Sequence, residues 1–380
     1  MPAHADVVVV GAGLAGCIVG LLLARAGVDT VVLEERPPGH GATGRSAGFL
    51  IRGTADHPDR VAAVIGGERA LALWRYTETS IDYLVGLVAE LGVECALRRE
   101  GGLVLGLDED ERQSLVRSRA LVDTGELWTA AEVEQRTGFR GFSGGWFRPG
   151  DGLLDPARLC EGLAGAAAQA GARIVSGVRV AGVDENGALR VRTDRGTVRA
   201  ERVVLAVNAA LPLVDARFAA GLYPVRAQMH ATVPADGPRL SWPVYAHHGF
   251  EYWRQQPTGE LLFGGCRWAE EPARECGVDD DTCVSERILA AQRDFVRRHL
   301  PRFAALPVTS TWAGIMAFTP DSLPLVGAVP GSRQLVCAGW NGHGLAQAPL
   351  SARIVAESIL GREGAAALPA GFSPARFEGA

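Results

Sequence analysis

The sequence contains no lysine, so all 38 of its basic residues are arginines. That absence removes whole mechanisms: a Schiff-base lysine, an internal aldimine to pyridoxal phosphate and a GxxxxGK[ST] phosphate loop each need a side-chain primary amine. Cysteine is sparse and unpatterned. The seven, at positions 17, 95, 160, 266, 276, 283 and 337, are odd in number and never spaced C-x-x-C, which speaks against a disulfide framework and a zinc ribbon. Excess positive charge is missing too. A formal net charge of -5 offers no general electrostatic reason to bind nucleic acid or an anionic membrane. Charge is absent from Val7 to Ala24, long enough to raise a membrane-span or signal-peptide reading. Glycines at 11, 13, 16 and 20 oppose it, no arginine precedes the stretch, Asp6 opens it and no A-x-A site succeeds it. A cytoplasmic protein is expected, and nothing in the sequence sets an oligomeric state.

What is present is apolar residue in quantity. With 380 residues, 47% of them hydrophobic, the chain can bury a large core and its length suggests two domains. Residues 5–10 form an apolar run without helical spacing, as expected of a buried parallel strand. The turn Gly11-Ala12-Gly13-Leu14-Ala15-Gly16 comes directly after it. A helix is predicted from about Leu14 to Ala26, stopped by Gly27, and a second strand, Thr30–Leu33, ends in Glu34, eighteen residues beyond Gly16. In such a βαβ unit Gly11 permits the tight turn, Gly13 lets the backbone approach a pyrophosphate, and Gly16 lets helix and strand pack closely. The helix N-terminus offers free N–H groups to the phosphates. Glu34, with Glu35 and Arg36 beside it, is placed to meet an adenosine ribose.

NAD and FAD share this fingerprint, and the residues after Glu34 decide between them. A second glycine-rich loop runs from Gly39 to Gly48 and contains Thr43, Gly44, Arg45, Ser46 and Ala47. It suits a cofactor whose pyrophosphate and bulky ring lie deeper along the fold. On these residues the sequence resembles the D-amino-acid oxidase superfamily of flavoproteins, in the branch of glycine oxidase, monomeric sarcosine oxidase and γ-glutamylputrescine oxidase. The resemblance covers nearly the whole chain. Its further marks are Gly152-Leu-Leu-Asp155-Pro156, the strand Arg202–Ala206 leading to Asn208, and a C-terminal run. That run goes from Thr319-Pro-Asp321 through a strand at Gln334–Ala338 to Gly339-Trp340-Asn341-Gly342-His343-Gly344-Leu345 and an apolar helix. The resemblance implies FAD, with a backbone amide near Val178 at the adenine and Gly314 beside the flavin. The final helix N-terminus would stabilise negative charge on a reduced flavin. For His343 a backbone-supporting role in that loop is expected ahead of acid–base chemistry.

The fold class expected is α/β plus α+β: a Rossmann-like FAD-binding domain (1–56, 146–220 and 316–380) with a smaller substrate domain built on an antiparallel sheet (57–145 and 221–315). Strands are predicted at 223–232, 244–246, 250–255 and 261–266, with turns at His247-His248-Gly249 and Pro257-Thr258-Gly259. Alternation puts Tyr252 and Arg254 on one face, and Arg226, Gln228 and His230 together on one face of their own strand. Arg52, carried in after the second glycine loop, matches an arginine that sarcosine oxidases use to hold a carboxylate. Arg52, His230, Tyr252 and Arg254 are therefore the candidate substrate residues. His247-His248 is not expected to bind metal, because neighbours on a strand face opposite ways and no carboxylate or cysteine cluster is expected nearby.

The chain also departs from the pattern it resembles. Met316 stands where glycine oxidases have a carboxylate-binding arginine, and Ala346 where sarcosine oxidases have a lysine, which puts a simple α-amino acid in doubt. Gly314 replaces the cysteine that tethers FAD, so dissociable FAD is expected. Leu262 falls near the lysine that helps dioxygen accept electrons. The leading expectation is two-electron oxidation of a C–N bond in a small amine or amino acid, hydride passing to flavin N5, with O2 or another acceptor as second partner. The rival is a flavin dehydrogenase of 2-hydroxy acids using a non-oxygen acceptor, with His230 as its base. An NAD enzyme, a nucleic-acid-modifying flavoprotein and a FAD-binding protein without catalysis fit less of the sequence.

Overall fold

The computed structural model describes residues 1–362, 367–369 and 371–377. Within the segment 316–380 expected in the first domain, residues 363–366, 370 and 378–380 lie outside the described residues.

The first sheet grows from the predicted βαβ unit. His4–Val10 pairs in parallel with Thr30–Glu34 on one side and with Gly196–Leu205 on the other. Arg173–Ser176 extends one edge and Gln334–Ala338 the other, both in parallel, and Leu325–Ala328 closes the far edge antiparallel. A meander of Val180–Asn186 and Ala188–Thr193 is appended through Gly196–Leu205. The central strands read as unbroken apolar runs because both faces are covered. On one face the helices Leu14–Arg25, Pro156–Gln169, Gly344–Ile359 and Gly67–Leu91 pack together in one apolar cluster that includes Ile18, Leu84, Leu163 and Val355.

The second sheet also has eight strands, ordered Val308–Phe318, Tyr223–Pro234, Glu260–Gly265, Glu251–Gln255, Val244–Ala246, Gly102–Gly106, Gly144–Arg148, Glu126–Thr129. All neighbours are antiparallel except Val244–Ala246 with Gly102–Gly106. The predicted strands and both turns are present, and His247 and His248 sit at φ of 53° and 52°. Helices dominate 58–91, but Gly144–Arg148 is a sheet strand that straddles the boundary expected at 145/146.

Register decides which face each side chain takes, since residues directly opposite one another point the same way. One row runs Trp312, Met229, Gly264, Tyr252, Tyr245, Val104, Trp146. The adjacent row runs Thr311, His230, Phe263, Trp253, Val244, Leu103 and faces the other way. There Trp253 and Phe263, both 0% exposed, pack beneath Phe295 of the helix Glu286–His299. The first row faces the short two-stranded sheet of Phe49–Leu50 with Gly152–Leu153, whose first strand comes just after the second glycine loop.

Two glycines show how tightly the first turn is drawn. A Cβ on Gly16 would lie 1.9 Å from the Gly11 carbonyl oxygen, whereas Gly27, at φ +80°, has nothing within 4 Å. Gly27→Ala is expected to cost only left-handed strain, about 1–2 kcal/mol. Gly16→Ala must move backbone and is expected to cost about 3 kcal/mol. Urea midpoints of the two variants check the ordering; equal midpoints would contradict the close approach.

Candidate active site

The two glycine loops are joined through backbone. Gly39 donates to the Ala12 carbonyl at 2.9 Å, Gly44 to the Gly39 carbonyl at 2.8 Å, and Leu14 N–H reaches the Thr43 hydroxyl at 3.5 Å. The helix Leu14–Arg25 starts at Gly13 with no side-chain cap and no acid in its first turn, so its N–H groups and positive dipole end are left for an anion. Glu34 is fixed at the strand end by the N–H groups of Ala12 (2.7 Å) and Arg36 (2.8 Å), and a carboxylate retains lone pairs beyond these two. Arg36 and Arg45 both reach Asp281, at 2.6 and 3.3 Å. Arg45 also donates to the Ala313 carbonyl at 2.8 Å, and its Cβ lies 3.2 Å from where Gly314 would carry a side chain. Ser46 accepts from Gly48 N–H at 3.3 Å, and Glu35 is a surface partner of Arg179 at 2.8 Å. Val178 N–H, expected at an adenine, is already donated to the Glu34 carbonyl at 2.9 Å.

The C-terminal turn supplies a second open helix start. His343 precedes Gly344–Ile359 without capping it. Asn341 is scaffolding: its Oδ1 accepts from Thr319 N–H at 2.9 Å and its Nδ2 donates to the Gly339 carbonyl at 2.8 Å. Gly342, at φ +81°, lies 3.5 Å from Met316 Sδ at its would-be Cβ, and Leu345 and Ala346 are buried in the helix. His343 does not support backbone as expected, because both of its ring nitrogens are buried without a partner. Burial first, then Arg148, pushes its pKa down to about 4, so it is a neutral imidazole, stacked on Tyr245 with ring centres 5.9 Å apart.

Above this lies the inner face of the second sheet. Tyr245 and Tyr252 stand 6.0 Å apart, both edge-on to Phe49, with Met229, Ala231 and Leu262 around them. Burial pushes both phenols up, Tyr252 to about 12. Arg254 shares this face as predicted, yet its Nη1 is donated to the Leu154 carbonyl at 2.6 Å and its Nη2 to Gln256 at 2.9 Å. Arg52 is buried in an ion-pair cluster: Nε on Asp151 at 2.9 Å, Nη1 on Glu78 at 3.0 Å, and the guanidinium 5.2 Å from the Trp74 ring centre. Arg148, not foreseen, completes the cluster, 2.6 Å from the other oxygen of Asp151. It faces a small cavity with Ile51, Val104, Trp146 and Tyr245. The sequence signal was close by, since Arg148-Pro-Gly-Asp151 abuts Gly152.

His230 is a correction. Its row points away from the face carrying Tyr245 and Tyr252, its Nδ1 contacts Gln292 at 2.9 Å and its ring stacks on Phe263. It therefore cannot serve as a base for substrate. Arg226 and Gln228 share that face, as expected; Arg226 pairs with Glu275 at 3.0 Å. The premise used against metal at His247-His248 also falls. His247 turns to Glu251 at 2.8 Å, but His248 meets His57 and Glu111, with one ligand atom from each of the three lying within 4.8 Å of the others. Glu111 is invisible as a neighbour because 137 positions separate it from His248.

A family model described as FAD dependent oxidoreductase matches residues 6–358. The chain belongs to that family. Among curated relatives, a probable oxidoreductase OrdL of Haemophilus influenzae is 29% identical over 94% of this chain and 83% of its own length. Among solved structures, glycine oxidase from Geobacillus kaustophilus superposes with a TM-score of 0.84 at 25% identity, covering 98% of each chain. L-proline dehydrogenase from P. horikoshii gives 0.84 at 26%, covering 100% of this chain and 99% of its own. The cofactor is thus FAD, and the residues fit it. Two helix starts lack side-chain caps, a Cβ would collide with backbone at Gly11 and Gly16, and His343 keeps two buried nitrogens unpartnered. Among the described residues, no helix is long and apolar enough to cross a membrane.

The neutral His343 sets a pH dependence. Its pKa falls from 6.5 to about 4 in the fold, so the folded state binds fewer protons than the unfolded one between those values. Stability from this group is complete above about pH 6.5 and lost as pH falls towards 4. His343→Asn is expected to show a shallower decline of melting temperature over that window than the parent. Parallel curves would contradict a buried neutral imidazole.

Proposed function

We propose that the enzyme oxidises the C–N bond of a small amino acid, anchored by its carboxylate to Arg148. The observation that carries this is charge and valence in one cluster. Two buried guanidiniums, Arg52 and Arg148, meet on the carboxylate of Asp151; Arg52 has Glu78 as a second partner, Arg148 pairs with no other carboxylate among the described residues, and each keeps a buried Nη2 without an acceptor. Buried donors are normally satisfied, and a guanidinium fork matches a carboxylate. On this reading the anchor absent at Met316 and Ala346 has moved to the strand Gly144–Arg148, and Arg52 positions it through Asp151.

The segments 1–56, 146–220 and 316–380 then hold FAD, and 57–145 with 221–315 form the substrate side, apart from the strand Gly144–Arg148, which crosses their boundary. When bound, the flavin supplies the two-electron oxidation. The chain's own groups orient and select. Tyr245, Tyr252 and Phe49 wall the substrate with aromatic surface, and their apolar setting together with Arg148 disfavours an ammonium group, so the amine binds neutral. His343 Nδ1 or Nε2 accepts a hydrogen bond from that amine. The imine is then hydrolysed in water. Arg254 donates to neutral oxygens of Leu154 and Gln256, and burial lowers its pKa only to about 10. It keeps its charge opposite Leu262, which supports dioxygen as acceptor, giving hydrogen peroxide. Gly314 offers no thiol for a tether, so the FAD is held non-covalently. A 2-hydroxy acid would use the same carboxylate anchor but needs a base; with His230 turned away, His343 is left, and its low pKa makes it a weak one.

Anaerobic bleaching of the bound flavin tests this, using amino acids, the matching amines without carboxylate, and 2-hydroxy acids. Amino acids are expected to reduce it fastest. Arg148→Gln is expected to lower kcat/KM for amino acids about 10- to 100-fold, the worth of a charge-assisted hydrogen bond, with carboxylate-free amines changed less than about twofold. Equal reduction of the parent by amines and amino acids would overturn the anchor. Reduction by hydroxy acids alone would overturn the amine chemistry.

A further inference from the structure

We propose that His57, His248 and Glu111 bind one divalent transition-metal ion of the zinc class, at the seam where the segment after Arg52, the helix Glu109–Val122 and the turn 247–249 meet. The hydrogen bonds fix the state of each donor. Ser114 donates its single hydroxyl proton to Asp59 Oδ1 at 2.5 Å, so its 2.9 Å contact with His57 Nδ1 must be accepted from an N–H. That leaves His57 Nε2 as a bare lone pair, in a residue 5% exposed, buried without a partner and 3.8 Å from Glu111 Oε1. A carboxylate relayed to a histidine in this way is the outer support usual for metal-binding imidazoles. His248 Nδ1 is likewise buried and unpartnered, and the two rings lie 4.8 Å apart.

Glu111 supplies the charge. It is 2% exposed, accepts from the backbone N–H groups of His248 at 2.6 Å and Leu107 at 2.9 Å, and pairs with no arginine among the described residues. Arg60 and Arg117 are paired with other carboxylates, Asp56 and Asp59. A buried carboxylate without a counter-charge is costly unless it coordinates a metal. A tetrahedral centre with bonds of about 2.0–2.2 Å spaces its ligands by about 3.4 Å, so donors now within 4.8 Å of one another need close by up to about 1.4 Å. Beside His57 lies a cavity of about 10 Å³, room for about one water. Two imidazoles and one carboxylate favour zinc, cobalt or nickel over magnesium or calcium. The ion would pin the 247–249 turn and residues 54–57 together beside the substrate wall.

The test uses the FAD-loaded enzyme, stripped with a chelator and dialysed against Zn²⁺, Co²⁺ or Mg²⁺. Elemental analysis should find one zinc per chain and no retained magnesium, cobalt should give the intense visible bands of a four-coordinate site, and zinc should raise the melting temperature by several degrees. His248→Ala and Glu111→Gln should lose all three effects, while His247→Ala, whose ring faces Glu251, should keep them. If Glu111→Gln fails to fold, His248→Ala, in a half-buried turn, decides alone. Less than stoichiometric zinc in the parent, or full retention in His248→Ala, would overturn the site.

Discussion

One carboxylate ties the second sheet to the segment that leaves the second glycine loop. Asp151 is 0% exposed, accepts from both the backbone and side chain of Arg52 with one oxygen, and faces Arg148 with the other. Three charges buried together are stable only as a set, since losing one partner leaves its neighbours uncompensated. The set also dictates glycine around it: a Cβ on Gly102 would sit 2.9 Å from Asp151 Cβ, and one on Gly150 would sit 2.8 Å from the Arg52 guanidinium. The short two-stranded sheet, the strand Gly102–Gly106 and the loop at Gly150 therefore meet at fixed separations.

The absence of lysine takes on meaning in this setting. An ammonium buried as deeply as Arg254 or Arg148 would tend to lose its proton, whereas a guanidinium stays charged and spreads its donors over a fixed fork. Arginine is the residue with which a buried, charged surface can be built beside a flavin. Its second use is geometric, because Arg52 and Arg148 also spread over the Trp74 ring at 5.2 and 5.4 Å.

What the sequence made legible was local. Gly11, Gly13, Gly16 and Glu34 announce a βαβ turn because their spacing is itself the steric requirement, and Gly339 to Gly344 announce a second turn for the same reason. Pairs of strand residues were also legible, since alternation alone puts Tyr252 with Arg254 and Gln228 with His230. That His230 and Tyr252 lie on opposite faces was not, because it depends on Met229 rather than His230 lying opposite Gly264. Arg148 escaped because its strand joins the sheet through Gly102–Gly106, some forty positions away. The cluster of His57, Glu111 and His248 escaped because three separate segments build it.

The contact of Asp281 with Arg36 and Arg45 carries a consequence for biogenesis. The arginines lie just after the strand Thr30–Glu34 and in the second glycine loop, and their partner lies 245 positions after Arg36. A nascent chain can form the first strand, helix and glycine turn early, yet their two cations stay without this partner until most of the polypeptide has emerged. Completion of this ion-pair set is therefore a late event, and a chain truncated before residue 281 would leave Arg36 and Arg45 without their shared carboxylate.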